Sequence, residues 1–263
     1  MSARSIWKGT LHVGSSKLPI KLFSAVQDQA VHFHVLEKSN KSRIKQQMVN
    51  PDSGDTVPKE NIRKGYEVRK GTFVLLDESE IRMVEPKPSR EVEALEFVPQ
   101  KAIDAQLFER PYYLGPDGDA RAYFAMVDAL SRKRKHGVVH WTMRKKSYVG
   151  AVSVYEGYLA VNVLRPAEEV LSARDLVPTS GRDLTQNERR MAEQLISVLR
   201  GEFRPEDFKD DYRDRVKTFI KAKARGRKPR LAQVKTKRPT GSLMDQLSKS
   251  LKVMKKADEK KAA

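Results

Sequence analysis

The sequence contains no cysteine, and long apolar runs are also missing. Without thiols there can be no disulfide, no thiolate metal site and no cysteine nucleophile. No uninterrupted apolar stretch approaches the ~20 residues that a transmembrane helix needs. Residues 1–8 lack the apolar core of a signal peptide. We therefore expect a cytoplasmic protein with no membrane-spanning segment.

Motifs for nucleotide hydrolysis and nucleophilic catalysis are absent as well. There is no GxxxxGK[ST] or GxGxxG loop to hold phosphates, no GxSxG, and no paired-carboxylate cluster for a metal. Among the five histidines, His136 and His140 have helical i,i+4 spacing, but His140 lies in a strand pattern and no HExxH accompanies them. We expect no catalytic residue, no metal site and no cofactor, with the histidines in surface or packing roles.

Positive charge is abundant, and it is concentrated towards the end of the chain. The protein has 52 Lys and Arg against 34 Asp and Glu, a net charge of +18. Residues 221–263 hold 15 of these bases and only three acids. Such an acid-poor segment binds polyanions through counterion release. Nucleic acid is the expected partner, which favours association with the nucleoid. An anionic membrane surface is the second alternative, and a basic protein with a merely solvated charged face is the third.

Two basic clusters lie within the more balanced body of the chain. The first spans residues 132–146, without an acid, and comprises Arg132, Lys133, Arg134, Lys135, Arg144, Lys145 and Lys146. The second comprises Lys38, Lys41, Arg43, Lys45, Arg63 and Lys64. We interpret the first as a phosphate-contacting patch where a helix leads into a strand, although the helix dipole alone favours cations there. For the second, phosphate contact and an ordinary exposed hairpin are equally compatible with the composition.

Short strands and turns dominate the pattern from residue 4 to residue 165. Period-two or short apolar runs predict strands at residues 6–13, 18–23, 31–35, 73–76, 91–98, 111–114, 138–143, 148–154 and 158–164. Tyr155-Glu156-Gly157 predicts a hairpin turn, and residues 50–55 another turn. One helix is expected over residues 119–134, with Tyr123, Met126, Val127 and Leu130 on one face. The pattern predicts a mainly β protein with some helix, built on a closed or partly closed β-barrel.

Helical patterns replace strands after residue 166. Thr185 and Glu188 form a capping-box pattern that opens a helix whose apolar face is Met191, Leu195, Val198 and Leu199. A second helix is expected over residues 205–226, with Phe208, Tyr212, Val216 and Phe219 or Ile220 on its stripe. Residues 227–240 indicate a flexible linker. A last short helix over residues 242–254 has an apolar side made of Leu243, Leu247, Leu251 and Met254, which could pack on the body but is better suited to a partner's groove.

Taken together, these features resemble bacterial Ku, the DNA-end-binding protein of non-homologous end joining. The resembling stretches, in chain order, are residues 4–9, 18–25, 31–36, 42–44, 64–67, 97–99, 112–114, 158–160 and 164–166. Their order and spacing are specific together, although each is weak alone. The sequence departs from the family at residues 13–17, where relatives carry a Phe-Gly-Leu-Val-like run. Without cysteines it also cannot form the zinc-ribbon-like variant of some relatives.

The resemblance implies a homodimer whose barrels and bridging arms form a ring that double-stranded DNA enters from a free end. Contacts would then go to sugar-phosphate, with residues 30–67 as the bridge and the region after residue 166 contributing dimer contacts. Residues 205–226 and 241–255 would recruit an ATP-dependent end-joining DNA ligase. The implied organisation is a barrel with bridge over residues 1–182, a helical region over 183–226, and a basic tail over 227–263.

Two other classes of function stay open from the residues themselves. One is a DNA lyase or end-processing enzyme that acts through a lysine Schiff base. The other is a general nucleic-acid-binding chaperone without preference for ends. We favour the end-binding scaffold, which is not an enzyme, because a ring would explain how a body of modest charge recognises an end by its topology.

Overall fold

The computed structural model describes residues 4–173, 184–198 and 201–226. The chain divides into two units, residues 1–29 with 34–173 and residues 30–33 with 174–263. The first unit contains all the strands found in the described residues. The described residues of the second unit include two α-helices. Each unit is described below by itself.

A closed β-barrel of seven strands forms the first unit's core, as the strand pattern predicted. Its strands are β1 (Trp7–Val13), β2 (Ser16–Ser24), β5 (Glu91–Pro99), β6 (Phe108–Pro116), β7 (Lys135–Met143), β8 (Lys146–Tyr155) and β9 (Tyr158–Leu164). They close in the order β1-β2-β6-β9-β8-β7-β5. All neighbours are antiparallel except β1 and β5, which pair in parallel over only three residue pairs. Closure leaves the barrel without a free edge along most of its wall.

Tight turns join the consecutive strands β7, β8 and β9. Between β8 and β9, Glu156 and Gly157 both have positive φ angles, 48° and 79°. The turn predicted at this position is thereby confirmed. Between β7 and β8, Arg144 and Lys145 also have positive φ angles, 50° and 65°. Two successive positive φ angles match the right-handed twist of a hairpin, and asparagine and glycine usually occupy such positions.

Helix α2 (Ala120–Lys133) packs on the barrel through its predicted face. Tyr123, Val127 and Leu130 are buried on it, and Met126 is half-buried. The Tyr123 hydroxyl donates a hydrogen bond to the Leu114 carbonyl and accepts one of 2.8 Å from the Leu159 amide. Leu114 and Leu159 are paired neighbours in β6 and β9. The tyrosine therefore anchors the helix to two strands by polar contacts that are shielded from water.

A long exposed segment separates β2 from β5. We call residues 34–76 the arm, since every residue in it except Val57 and Leu76 is exposed. It ends in the hairpin of β3 (Lys64–Arg69) and β4 (Thr72–Leu76), which forms a two-stranded sheet of its own. Helix α1 (Glu78–Val84) follows and was not expected from the sequence.

The strand predicted over residues 31–35 is wrong. The alternation of apolar residues is present, but no strand among the described residues pairs with residues 31–35, and Phe33 and Val35 are each 69% exposed. Instead the arm has two small turns, closed by the bridges between Leu36 and Arg43 and between Val49 and Thr56. The second is the turn predicted at residues 50–55, where the Asn50 amide donates to the Asp55 carbonyl at 2.9 Å.

The second unit contains helices α3 (Gln186–Val198) and α4 (Asp211–Ala224). The predicted capping box opens α3: the Thr185 amide donates to Glu188 Oε2 at 2.8 Å, and the Glu188 amide donates to Thr185 Oγ1 at 3.3 Å. The Glu188 carboxylate accepts hydrogen bonds from the Thr185 amide and the Thr185 hydroxyl. Both lower the pKa of Glu188, and the bond from the amide has the larger effect. Met191, Leu195 and Val198 are half-buried, as expected for the apolar face.

The second helix starts later than predicted. Pro205–Asp207 forms only a short 3-10 turn, and α4 begins at Asp211 after Asp210, whose side chain accepts from the Arg213 amide at 3.0 Å. Phe208 therefore lies outside the helix, 73% exposed, with its ring 5.3 Å from that of Phe203. Val216 and Phe219 are half-buried on the predicted stripe, whereas Tyr212 and Ile220 are exposed.

Candidate nucleic-acid interface

Four of the predicted phosphate-binding cations lie in the first turn of the arm, residues 36–43, or just after it. They are Lys38, Lys41, Arg43 and Lys45. Lys38 and Lys41 lie within the turn that the bridge between Leu36 and Arg43 closes, and Lys45 follows directly. Lys41 has a φ angle of 61°, so the turn depends on a left-handed residue. In the described part of the chain, none of the four makes an ion pair with an acid. Their charges are therefore available to an external anion.

One acidic residue, Glu37, organises this turn. The Ser39 hydroxyl donates to Glu37 Oε1 at 2.7 Å, the Lys41 amide donates to the Glu37 carbonyl at 2.9 Å, and the Ser42 amide donates to Asn40 Oδ1 at 2.8 Å. The side-chain hydrogen bond from Ser39 is the largest cause of the lowered pKa of Glu37. The carboxylate thus supports the turn's shape, while the surrounding lysine and arginine side chains extend into solvent.

Arg63 and Lys64 lie at the other end of the arm, in different surroundings. Arg63 Nε is 2.9 Å from Asp77 Oδ1, and Arg63 Nη1 donates to the Glu60 carbonyl at 2.6 Å. Arg63 therefore joins the base of the hairpin to the start of α1, and its charge is partly compensated. Lys64 begins β3 opposite Leu76 and is exposed. Of the two, Lys64 is the better placed to contact phosphate.

The basic run at residues 132–146 does not form a single patch. The nine-residue strand β7 (Lys135–Met143) lies between the two halves of the run: Arg132, Lys133, Arg134 and Lys135 are at its start, and Arg144, Lys145 and Lys146 follow its end. At about 3.3 Å per residue, the two groups lie roughly 30 Å apart along the strand. The structure thus divides the sequence cluster into two groups at opposite ends of β7.

Acidic partners compensate one cation in each of these groups. Arg132 Nε donates to Asp128 Oδ1 at 2.9 Å one helical turn earlier, and the Asp128 carboxylate raises the pKa of Arg132. Lys145 Nζ lies 2.9 Å from Glu85 Oε2. Lys135 Nζ is 3.5 Å from the Phe97 carbonyl oxygen. Within residues 4–173, Lys133, Arg134, Arg144 and Lys146 make no ion pair and remain the strongest candidates for phosphate contact.

Two further cations of the arm are exposed and lie outside the clusters predicted from the sequence. Arg69 and Lys70 lie at the tip of the β3–β4 hairpin and are exposed. Their position at a hairpin tip is the signal that could have identified them. By contrast, Lys8 and Lys21 approach Asp117 at 3.1 and 2.6 Å, and Lys21 followed by Lys8 lowers the pKa of that carboxyl group. These two lysines are already paired.

The histidines do not assemble a metal centre in the described residues: no group of three or more His, Asp or Glu side chains is placed to hold an ion there. His136 lies at the start of β7, with its ring edge-on to Phe108 at 6.4 Å. Its Nδ1 atom is buried and has no hydrogen-bond partner within the part of the chain that the structure describes. Burial lowers the pKa of His136, which favours the neutral ring. This environment is typical of a packing residue.

The predicted ligase-docking residues Leu243, Leu247, Leu251 and Met254, with the linker before them, lie outside the described residues. The helices within the described ranges include none that is long and apolar enough to cross a membrane.

The barrel and its cations together have the features of a protein that binds an extended polyanion. A closed seven-stranded barrel carries uncompensated cations on turns, strand ends and an exposed arm. Cations in such positions are suited to an extended polyanion rather than to a small anion in a cleft.

Comparison with known proteins identifies the family. A family model described as the Ku70/Ku80 beta-barrel domain matches residues 13–195. The chain is 34% identical over 254 residues to non-homologous end joining protein Ku 2 of Geotalea uraniireducens, covering 96% of this chain and 99% of the relative. It is 35% identical over 255 residues to non-homologous end joining protein Ku of Anaeromyxobacter sp., covering 95% and 85%. The chain belongs to the Ku family.

Proposed function

We propose that this protein binds the ends of double-stranded DNA in non-homologous end joining, as a homodimeric ring that encircles the duplex. Membership of the Ku family supports the end-joining role. The observation that carries the proposal is the arm, a 43-residue segment that makes little contact with the barrel and displays cations along an exposed backbone. An exposed segment with these cations is suited to lie against a large, negatively charged molecule such as duplex DNA.

The apolar side chains of the arm support a dimer. Tyr66, Phe73 and Leu75 of the β3–β4 hairpin are 67%, 59% and 68% exposed. An isolated two-stranded hairpin is at best marginally stable in water, and exposed apolar groups at this density mark an interaction surface. A second copy of the chain that covered these side chains would stabilise the arm and complete a ring around DNA.

Sequence-independent binding follows from the kind of contacts that are available. The uncompensated cations are lysines and arginines on turns and strand ends, which are suited to phosphate oxygens rather than to base edges. End preference would then come from topology, because a closed ring can load only where the duplex stops. On this proposal the protein is a scaffold without catalytic chemistry, it acts at the nucleoid in the cytoplasm, and its tail recruits an ATP-dependent DNA ligase.

The test is a binding competition between linear duplex and closed circular DNA of equal length and sequence. We expect the linear form to compete far better, with an affinity that falls steeply as salt concentration rises. The circle cut once by a restriction enzyme is the matched control and should compete as the linear form does. Equal competition by the intact circle would overturn the ring.

A further inference from the structure

The barrel wall has a gap at the point where the parallel pairing of β1 with β5 ends. Thr10 of β1 is paired with Glu91, the first residue of β5. The β1 residues before Thr10 and the β7 residues after Trp141 extend past this point, but Pro88 and the residues beside it do not continue β5 between them. A pocket of about 400 Å³ lies there, lined by Trp7, Pro88, Arg90, Met143, Arg144 and Lys145 among others.

Trp7 forms a rigid aromatic wall of this pocket. A Cβ atom at Gly9 would lie only 2.1 Å from the indole ring and 2.3 Å from the Arg90 carbonyl oxygen. The ring therefore lies directly over the glycine, and Trp7 also packs against the hydrophobic core of the barrel. Buried Met143, 4% exposed, lies on the opposite strand. The pocket surface is mostly apolar, which suits a flat aromatic group.

The rim of the pocket is positively charged. Arg144 and Lys145 form the left-handed turn between β7 and β8, a conformation that glycine or asparagine adopts at lower conformational cost. Lys145 is paired with Glu85 at 2.9 Å. In residues 4–173, neither Arg90 nor Arg144 has an acidic partner. Two arginines without acidic partners next to an aromatic wall provide phosphate binding and base stacking side by side.

We propose that this pocket binds an unpaired nucleotide at a DNA end, with the base against Trp7 and a phosphate between Arg90 and Arg144. The volume lies at the lower end of the roughly 300–1,000 Å³ range of small-ligand pockets, which suits a single nucleotide rather than a longer segment. The proposal rests on the proposed DNA-end function, since it adds a preference for overhangs to the topological preference for ends.

Fluorine NMR of the full chain labelled with 5-fluorotryptophan tests this directly. The protein has two tryptophans, and Trp141, which is 2% exposed, serves as the internal reference for folding. A Trp7→Phe variant assigns the signals. The titrants are a duplex with a 5′-phosphorylated overhang, the blunt duplex of the same base pairs, and a nucleoside 5′-monophosphate alone.

We expect the overhang duplex to shift the Trp7 signal and the blunt duplex to leave it nearly unchanged, while Trp141 stays constant. The double variant Arg90→Gln/Arg144→Gln should lose about tenfold in preference for the overhang, equivalent to about 1.4 kcal/mol. The matched variant Arg110→Gln/Arg121→Gln, which changes two exposed arginines elsewhere on the barrel unit, should keep that preference.

Two results would overturn the proposal: a Trp7 signal that does not respond to the overhang duplex, whatever the mononucleotide does, or an equal response to the blunt duplex. Failure here is distinguishable from failure of the ring. A silent Trp7 with intact discrimination between linear and circular DNA removes only the pocket. A responsive Trp7 with equal binding to both DNA forms removes only the ring.

Discussion

The most quantitative prediction concerns the first turn of the arm. Lys38, Lys41, Arg43 and Lys45 are exposed and free of ion pairs within the described residues. Replacing all four by glutamine should remove phosphate contacts without disturbing the barrel, because none of these residues packs on it. The turn itself should persist, since its hydrogen bonds come from Glu37, Ser39 and backbone groups.

The expected magnitude follows from counterion release. Each phosphate contact contributes about 0.9 to the slope of log affinity against log salt concentration, so four contacts account for about 3.6. Over a fourfold rise in salt concentration, the affinity advantage of the unchanged protein should shrink by roughly 10²-fold. These figures hold for one arm. A dimer that engages both arms should show about twice the change in slope, so the slope also reports the number of arms bound.

The assay is fluorescence anisotropy with a short labelled duplex, repeated across a series of salt concentrations. A matched variant changes four exposed cations of the barrel unit outside the arm to glutamine: Lys87, Lys101, Arg110 and Arg121. It should alter the slope by much less. If the arm variant and the control variant gave the same slope as the unchanged protein, the arm would not contact phosphate and the reasoning would be refuted.

Three other predictions concern the barrel and the tail. Tyr123→Phe leaves the buried Leu159 amide unpaired and should lower the free energy of unfolding by about 1–3 kcal/mol in denaturant titrations; an unchanged midpoint would contradict the anchoring role. Burial lowers the pKa of His136, so the stability that the neutral ring contributes is complete above pH 6.5, its ordinary pKa, and is lost as the pH falls towards the folded-state pKa. His136→Asn should therefore make the melting temperature depend less on pH in this range. An unaltered pH profile of the melting temperature would contradict this role of His136. Deleting residues 227–263 should weaken DNA affinity, lower the salt slope and reduce ligase stimulation; loss of end preference would show that the tail, not the body, recognises ends.

The barrel was predictable because its signals are local. Alternating apolar residues, the Glu156-Gly157 turn and the helical spacing of Tyr123, Val127 and Leu130 each reflect contacts between neighbours in sequence. The capping box at Thr185 is equally local, and it too is confirmed. That the sheet closes could be expected, although its strand order could not, since many short strands need partners on both sides.

The predictions failed where structure depends on partners. The residues around Phe33 alternate like a strand, but alternation produces a strand only when another strand offers hydrogen bonds. In contrast, β3 has glycine and charges and gives a weak pattern, yet it pairs with β4. Phe208 shares the spacing of the α4 stripe, but the cap at Asp210 starts the helix after it.

The candidate site was predictable in its residue types and not in its arrangement. The run from Arg132 to Lys146 looks continuous in sequence, but β7 places its two halves at opposite ends of a strand. The pocket beside Trp7 is made from three separate parts of the chain, residues 7, 88–90 and 142–145. No spacing rule brings such distant residues together; only the register of β1, β5 and β7 does.

Topological trapping tests the central claim of an encircling dimer most directly. The protein is loaded on linear DNA, the ends are then joined by a ligase, and the circle is washed at high salt to remove phosphate contacts. We predict that protein stays on the closed circle and leaves when the circle is cut once. Release from the intact circle at the same rate as from linear DNA would contradict the ring, whatever the affinity for ends.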